Sequence, residues 1–535
     1  MKKYNCEYCA EFIEFISELS KKHSSFKWWC STVSEKNVVI EDSLYKILNE
    51  LIFERKDFDE LLNYKFSLKK YYKVRRRFIA EKIQKMQAIP KLDLSKKYIG
   101  LMTWLDKRNF DESGNFKETY YQRLFEELRD RDDFLLLIYP LYTIGDEQAN
   151  KLLKNLNIPY LDIFKYYKKI DVIKAILFSL YYMPLKEKEF FREYDITKIL
   201  RYYFKREICE NHYANYYLMY YSIMRLAEAG VKFERIIYPF ENQPWEKILC
   251  YAARKFMPET KLIAYMHTMT LPNLVSIFAG RYESENMPQP DYIFTTGKLS
   301  AVELRKFWQA EKVIENCAMR YEYLFNMKTD RIIDTDKKKL SKYILLALSV
   351  DYKKSIEMMK IVYSAFKNSS DFNIIIKPHP TYNLEAADLT DYGLANIVKE
   401  NCAAQREKKS EQSNDLKNIA NQKTKFSISD RPVSELLPKC EIVITAESTV
   451  GLEGIKLGLV MIELEIDGFI PLSRLEYSSE IKIVVKTADE LYQKVEEILN
   501  WSKDKRADYF KKANEFINYC FNIPEEKYIK KFVEI

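Results

Sequence analysis

Two short stretches in the carboxy-terminal half combine residue types able to hold a phosphate: "KPHP" (377–380) and "TAESTVGLEGIKLG" (445–458). In the first, Pro378 fixes its own φ and Pro380 biases His379 toward an extended backbone, so the imidazole projects from a stiff turn. A rigidly held proton donor or cation is useful where a leaving group gathers negative charge. Lys377 adds a second cation. In the second stretch, Ser448 and Thr449 are expected to cap a helix running to about Lys456, with Gly458 as its stop. Two hydroxyls and free backbone N–H groups at a helix start form an anion site, and Gly451 would let a ligand come close. Each stretch also has an ordinary reading, as a turn that ends a strand and as a capped helix.

Elements must bring these residues together. Apolar runs at 98–105, 134–142, 235–240, 261–266 and 291–296 read as strands, with helices at 243–256 and 299–308 between the later ones. A second series follows, with strands at 343–349, 372–378, 441–447 and 459–465 and helices at 353–367, 449–457 and 488–501. Alternating strand and helix argues for parallel sheets covered on both faces. The expectation is α/β: two Rossmann-like doubly wound domains facing a cleft, with helical N-terminal additions. Residues 1–325 would form the first domain, 326–341 a polar linker, and 342–501 the second. A helical tail, 502–535, would pack back toward the first. The polar stretch 403–424 reads as a flexible insertion. Ligands bind beyond the carboxyl ends of strands in such sheets, and Asp106, Glu241, His267, His379 and Glu447–Ser448–Thr449 all follow strand ends. The last two groups are expected on neighbouring strands.

At 535 residues the chain exceeds one hydrophobic core, which supports the two-domain reading. Its net charge of +8 is modest, and the basic clusters "KKYYK" and "KVRRR" are diluted by 78 acidic residues. Those clusters are either solvated helix faces or contacts to an anionic partner, a phospholipid surface or a lipid-linked phosphate; no nucleic-acid module is present. The amino terminus carries Glu within its apolar stretches and is not a signal peptide. The apolar runs are too short to span a bilayer. Nine scattered cysteines suit a reducing compartment, so the chain is expected in the cytoplasm, or peripherally at the inner face of the cytoplasmic membrane. "CEYC" (6–9) with His23 and Cys30 is a zinc set of no standard spacing, against helix-packing cysteines. "DRDD" (130–133) imitates a metal motif at the wrong end of a strand and reads as a solvated loop.

"KPHP" followed by "ITAESTVGLEG" resembles the nucleotide-binding half of bacterial GT-B glycosyltransferases that use CMP-activated sugars, the sialyl and Kdo transferases. Glycerophosphotransferases of teichoic-acid synthesis are similar. "WWCSTVSEKN", "TWLDKRNF", "YPFENQPWEK" and "MHTMTLP" resemble O-antigen and capsule biosynthesis proteins. The resemblance implies transfer of an acidic sugar to a surface glycan or lipid-linked acceptor. His379 would contact the donor phosphate, with Ser448 and Thr449 holding its oxygens. One phosphate on the leaving group makes a metal or other cofactor unnecessary. A base must activate the acceptor hydroxyl, and Glu241 or Asp106 would serve; Lys107 and Arg108 would keep Asp106 ionised, while Glu241 has the alternative of capping the next helix. Asn242, Gln243 and Trp245 look like a sugar-binding surface, and His267 would bond acceptor or donor, or be a core histidine. Arg320 would meet a sugar carboxylate or make an ion pair. Glu453 would bind ribose or favour the first helical turn. The competing readings are a CDP-glycerol-type glycerophosphotransferase, a sugar-nucleotide 2-epimerase and a non-catalytic scaffold of envelope-glycan assembly.

Overall fold

A computed structural model describes residues 6–38, 43–53, 68–105, 109–110, 115–140, 151–154, 156, 158–181, 185–326, 343–369, 372–379, 382, 384, 389, 394, 398–399 and 425–535. The 403–424 insertion and nearly all of the expected linker lie outside them. The chain divides into two compact units, Met1–Glu322 with Cys520–Ile535, and Tyr323–Tyr519.

Seven parallel strands make the sheet of the first unit: β1 (Lys97–Leu105), β2 (Phe134–Pro140), β3 (Tyr160–Leu161), β4 (Lys232–Pro239), β5 (Lys261–Tyr265), β6 (Tyr292–Thr295) and β7 (Val313–Glu315). Their order is β3-β2-β1-β4-β5-β6-β7, the doubly wound arrangement, whose direction of winding reverses between β1 and β4. After its first residue, every described position of β1 is buried, and so is the whole of β5 beyond Lys261. Helices covering both faces cause this, and it is why the strands read as continuous apolar runs rather than alternating ones.

The second unit repeats the plan with β8 (Tyr343–Ala347), β9 (Asn373–Lys377), β10 (Val398–Lys399), β11 (Lys425–Ile428), β12 (Ile442–Thr445), β13 (Val460–Leu464) and β14 (Val484–Val485). The order is β10-β11-β9-β8-β12-β13-β14, again all parallel. Here the winding reverses between β8 and β12. The strands carrying His379 and Ser448 are therefore not neighbours, as the sequence suggested: β8 runs between them. The short strands β3, β7, β10, β11 and β14 escape sequence reading because two to four residues give no period to detect.

Helix Val450–Lys456 ends as expected, with Gly458 at φ +81°, a left-handed conformation that glycine adopts without a Cβ clash. Its inner face shows why two more glycines sit there. A Cβ on Gly451 would come within 2.6 Å of Met461, and one on Gly454 within 2.7 Å of Val443. Both glycines let the helix lie close on β12 and β13. Gly451 thus serves the helix–sheet contact rather than the ligand approach expected of it.

Residues 520–535 complete the first unit. The Asn522 amide donates to the Thr296 carbonyl at 2.9 Å, and the Ala318 amide donates to Asn522 at 2.9 Å. From β4, Arg235 donates to the carbonyls of Phe532 and Ile535 at 3.1 and 3.0 Å. The Phe532 ring lies 4.6 Å from Phe294 and 5.7 Å from Tyr265. At Gly297, a Cβ would stand 2.4 Å from the Cys520 carbonyl oxygen, a backbone atom that the flanking hydrogen bonds hold in place. Gly297→Ala is accordingly expected to destabilise the first unit by about 1–3 kcal/mol, read as a lower urea midpoint for that unit.

Candidate functional site

At the winding reversal of the first sheet, the chain leaves β4 through Glu241, Asn242 and Gln243. One carboxylate shapes this turn. Glu246, in the first turn of helix Pro244–Phe256, accepts the amides of Glu241, Asn242 and Gln243 at 3.0, 3.1 and 2.9 Å. The capping role weighed for Glu241 therefore falls to Glu246. Asn242 takes a left-handed φ of +58° and is buried, donating its side-chain amide to the Ser276 carbonyl at 2.7 Å. Trp245 is buried too, stacked 5.6 Å from Tyr139 and donating to Gln243 at 2.8 Å. Neither residue presents the sugar-binding surface expected of it, because both are spent on building the turn.

The turn aims the Glu241 carboxylate. Gln243, fixed by Trp245, donates its other end to Glu241 at 2.5 Å. His267, just beyond β5, brings Nε2 to 3.7 Å from the same carboxylate. The buried imidazole is walled edge-on by Trp104, at the end of β1, and by Tyr120, at 5.3 and 5.1 Å. Arg320 lies over Tyr120, 5.6 Å from the ring centre. Burial raises the Glu241 pKa from 4.5 to about 7; the Gln243 bond and the Arg320 charge oppose the shift, and the Glu35 charge adds to it. Protein surrounds this carboxyl although 37% of its side chain is accessible, which suits a group that must meet a ligand. Asp106, beyond the end of β1, lies outside the described residues.

Glu35 is the residue that sequence reasoning missed. It stands in "WWCSTVSEKN", which folds as two short helices whose side chains are largely buried. Lys247 of helix Pro244–Phe256 donates to the Ser34 carbonyl at 2.7 Å, and Lys36 makes a fully buried 2.6 Å ion pair with Glu283. These two lysines pin the residues on either side of Glu35. Its carboxyl accepts from Asn37 at 2.7 Å and its pKa is raised by burial. No local signal marks Glu35: the residues around it, Ser34, Lys36 and Asn37, read as an ordinary polar surface.

On the second sheet the winding reversal falls between Ser349, following β8, and Glu447, following β12. Buried Glu447 is bound by the Ser349 hydroxyl and the Lys354 ammonium, and its carbonyl accepts from Arg474 at 2.7 Å. The Tyr382 hydroxyl lies 2.8 Å from the Ser349 carbonyl and 2.6 Å from the Ser355 hydroxyl. Its amide donates to the His379 carbonyl at 3.4 Å, so the loop after β9 is tied to the loop after β8. His379 and Ser448 share this edge of the sheet with the β8 loop between them, a strand-to-strand separation of roughly 10 Å. Ser448 is half-buried and accepts the Val450 amide at 3.3 Å. Thr449 has helical backbone angles and no capping bond from its side chain; the expected pair of capping hydroxyls is one. Lys377 donates to the Asp430 carbonyl at 3.0 Å, toward β11 and away from β12. Buried Glu453 accepts from the Tyr323 hydroxyl.

Of the zinc set weighed at the amino terminus, the Cys6 side chain lies outside the described residues, and two other members have different partners. Cys9 donates to Asn273 at 2.8 Å, and His23 meets Glu189 at 3.1 Å. Among the described residues, no group of three or more His, Cys, Asp or Glu is placed to hold a metal. "DRDD" precedes β2, with Arg131 and Asp133 paired at 2.8 Å on the surface.

No protein-family model matches the chain, and no curated protein matches it. Solved structures do. The UDP-GlcNAc 2-epimerase of Neisseria meningitidis bound to UDP-GlcNAc is similar at 12% identity and a TM-score of 0.43, over 82% of this chain and 99% of that one. The S. aureus MnaA–UDP structure gives 11% and 0.42, over 82% and 95%. A glycosyltransferase from Rickettsia africae gives 12% and 0.40, over 82% and 97%. Identities this low, at TM-scores below 0.5, decide neither substrate nor activity.

Two outcomes follow from the site's electrostatics. Folded chain keeps the Glu241 proton up to about pH 7, whereas unfolded chain releases it near 4.5; this group's contribution to stability therefore falls as pH rises between those values. Glu241→Gln should flatten that part of the decline, seen in urea midpoints of variant and parent across the range. In the second unit, Glu447→Ala leaves the buried Lys354 ammonium without its carboxylate and should cost about 3–5 kcal/mol, read as a lower unfolding temperature for that unit.

Proposed function

We propose that the chain is a nucleotide-sugar-dependent glycosyltransferase of GT-B type, moving an acidic sugar (a nonulosonate or Kdo) from a CMP-activated donor to a surface glycan or lipid-linked acceptor. Glu241 carries the reading. It stands at the winding reversal of its sheet and titrates near neutrality, so it can take a proton from an acceptor hydroxyl and then release it. His267 and Arg320 belong to its surroundings. On the donor side the reading rests on the likeness of "KPHP" and "ESTVGLEG" to CMP-sugar transferases. His379 assists departure of the CMP phosphate, and Ser448 supplies a hydroxyl at the same sheet edge. A leaving group with one phosphate can be met by such fixed donors without a divalent metal.

A nucleotide-sugar 2-epimerase is the second reading. It needs carboxylates around the sugar carbon whose proton is exchanged, and the charge of Glu35 is felt at Glu241, next to His267.

The two readings separate by product. Incubated with CMP-sialic acid, CMP-Kdo, CDP-glycerol and UDP-GlcNAc, the chain should release CMP from a CMP-sugar. His379→Ala should slow that release by roughly a hundredfold or more with an unchanged unfolding temperature; near-normal turnover removes His379 from the mechanism. Epimerised UDP-sugar selects the second reading, and glycerol phosphate transfer the glycerophosphotransferase. No thermal shift with any nucleotide marks a scaffold, since a ligand bound to the folded form must stabilise it.

A further inference from the structure

Helix Lys169–Leu180 has two opposed faces, and among the described residues one is packed while the other is largely exposed. Val172, Ala175 and Ser179 are buried against helices Leu68–Gln84 and His212–Glu228. Asp171, fully buried on that inner side, pairs with Arg225 at 2.7 Å, and Arg75 donates to Ser179 at 3.0 Å. The outer side is apolar. Ile170, Ile173, Leu177 and Leu180 recur at helical spacing along one stripe, with Ile173 55% and Leu177 62% exposed. Phe178 and, just past the helix end, Tyr181 extend it, Tyr181 being 70% exposed. Tyr72, on the adjoining helix, is 68% exposed. Of the sixteen large hydrophobic side chains exposed among the described residues, these seven sit on one pair of packed helices or at its end. Scattered singly they would need no explanation, but gathered on one surface they do.

The charge around the stripe selects its occupant. Lys168, Lys169 and Lys174 are exposed beside it, and Lys73, Arg76 and Arg77 are exposed on the adjoining helix. The one carboxylate of helix Lys169–Leu180 is the buried Asp171, turned inward and neutralised by Arg225. Exposed Glu187 lies near Tyr181 but is flanked by exposed Lys186 and Lys188, so the stripe is rimmed mainly by cations with tyrosines at its margins, the pattern of a helix lying in the plane of a bilayer surface. A second copy of the chain would set these cations against each other. Among the described residues no helix is long and apolar enough to cross a membrane, so the attachment is one of lying on, not spanning.

We propose that this face is a docking surface for an anionic phospholipid bilayer, with Ile173, Leu177 and Tyr181 entering the headgroup boundary and the flanking lysines and arginines meeting lipid phosphates. The inference is independent of the donor chemistry above.

Flotation of the full chain with vesicles tests it without any nucleotide. Vesicles of phosphatidylcholine plus phosphatidylglycerol should retain the protein roughly tenfold better than phosphatidylcholine alone, and added salt should weaken retention. The double variant Ile173→Gln/Leu177→Gln should lose binding, and so should Lys169→Glu/Lys174→Glu, both with the parent's unfolding temperature. Equal retention by the variants, or no retention of the parent, overturns the proposal. It is also overturned if the parent is dimeric and Ile173→Gln/Leu177→Gln makes it monomeric, since the face then belongs to a second copy.

Discussion

The geometry of the first site depends on one carboxylate, that of Glu246, accepting three consecutive backbone amides. Without an acceptor, the amides of residues 241–243 would be left unpaired at the crowded start of a helix, each a cost of about 1–3 kcal/mol if buried. With it, the chain can leave β4, pass through a left-handed Asn242 and enter the helix at Pro244. Gln243 is then placed between Trp245 and Glu241, so a buried indole indirectly holds the Glu241 carboxyl. The turn is fixed by bonds from within the protein, the kind of support that the proton-acceptor role proposed for Glu241 would require.

Each sheet carries a carboxylate at its winding reversal, and their surroundings differ. Glu447 touches an ammonium and a serine hydroxyl directly; its charge is matched, and it ties the β8 and β12 loops together. Glu241 receives an amide from Gln243 and has His267 at 3.7 Å, while burial makes its charged form costly. A matched pair of this kind holds structure, whereas a carboxyl kept near neutrality can exchange a proton.

What could be read from sequence was whatever depends on neighbours along the chain. The apolar runs of β1, β4, β5, β8, β9, β12 and β13 mark strands because burial on both faces leaves few polar positions inside them. The residues after those runs, Glu241, His267, His379 and Ser448, stand at the sheet edges for the same reason. Side-chain direction was not legible. Trp245 after a Pro reads as an open sugar platform, yet it stacks on Tyr139, more than a hundred residues earlier. Gly451 reads as room for a ligand, but the room is filled by Met461. Glu35 looked ordinary because its meaning comes from Lys247, Glu283 and Glu241, all distant in sequence. The strand order of the second sheet was equally hidden: nothing local says that β8 runs between β9 and β12.

The last sixteen residues impose an order of events. Residues 323–519 form their own unit, so everything needed for that unit has been synthesised before Asn522 can bond Thr296 or Phe532 can cover Phe294. During translation the later-encoded unit can therefore finish folding while the earlier one still waits, with the β5–β6 surface bare and Arg235 without its carbonyl partners from Phe532 and Ile535. The amino-terminal unit therefore cannot close its core over Phe294 and Tyr265 until the chain has been made as far as Phe532.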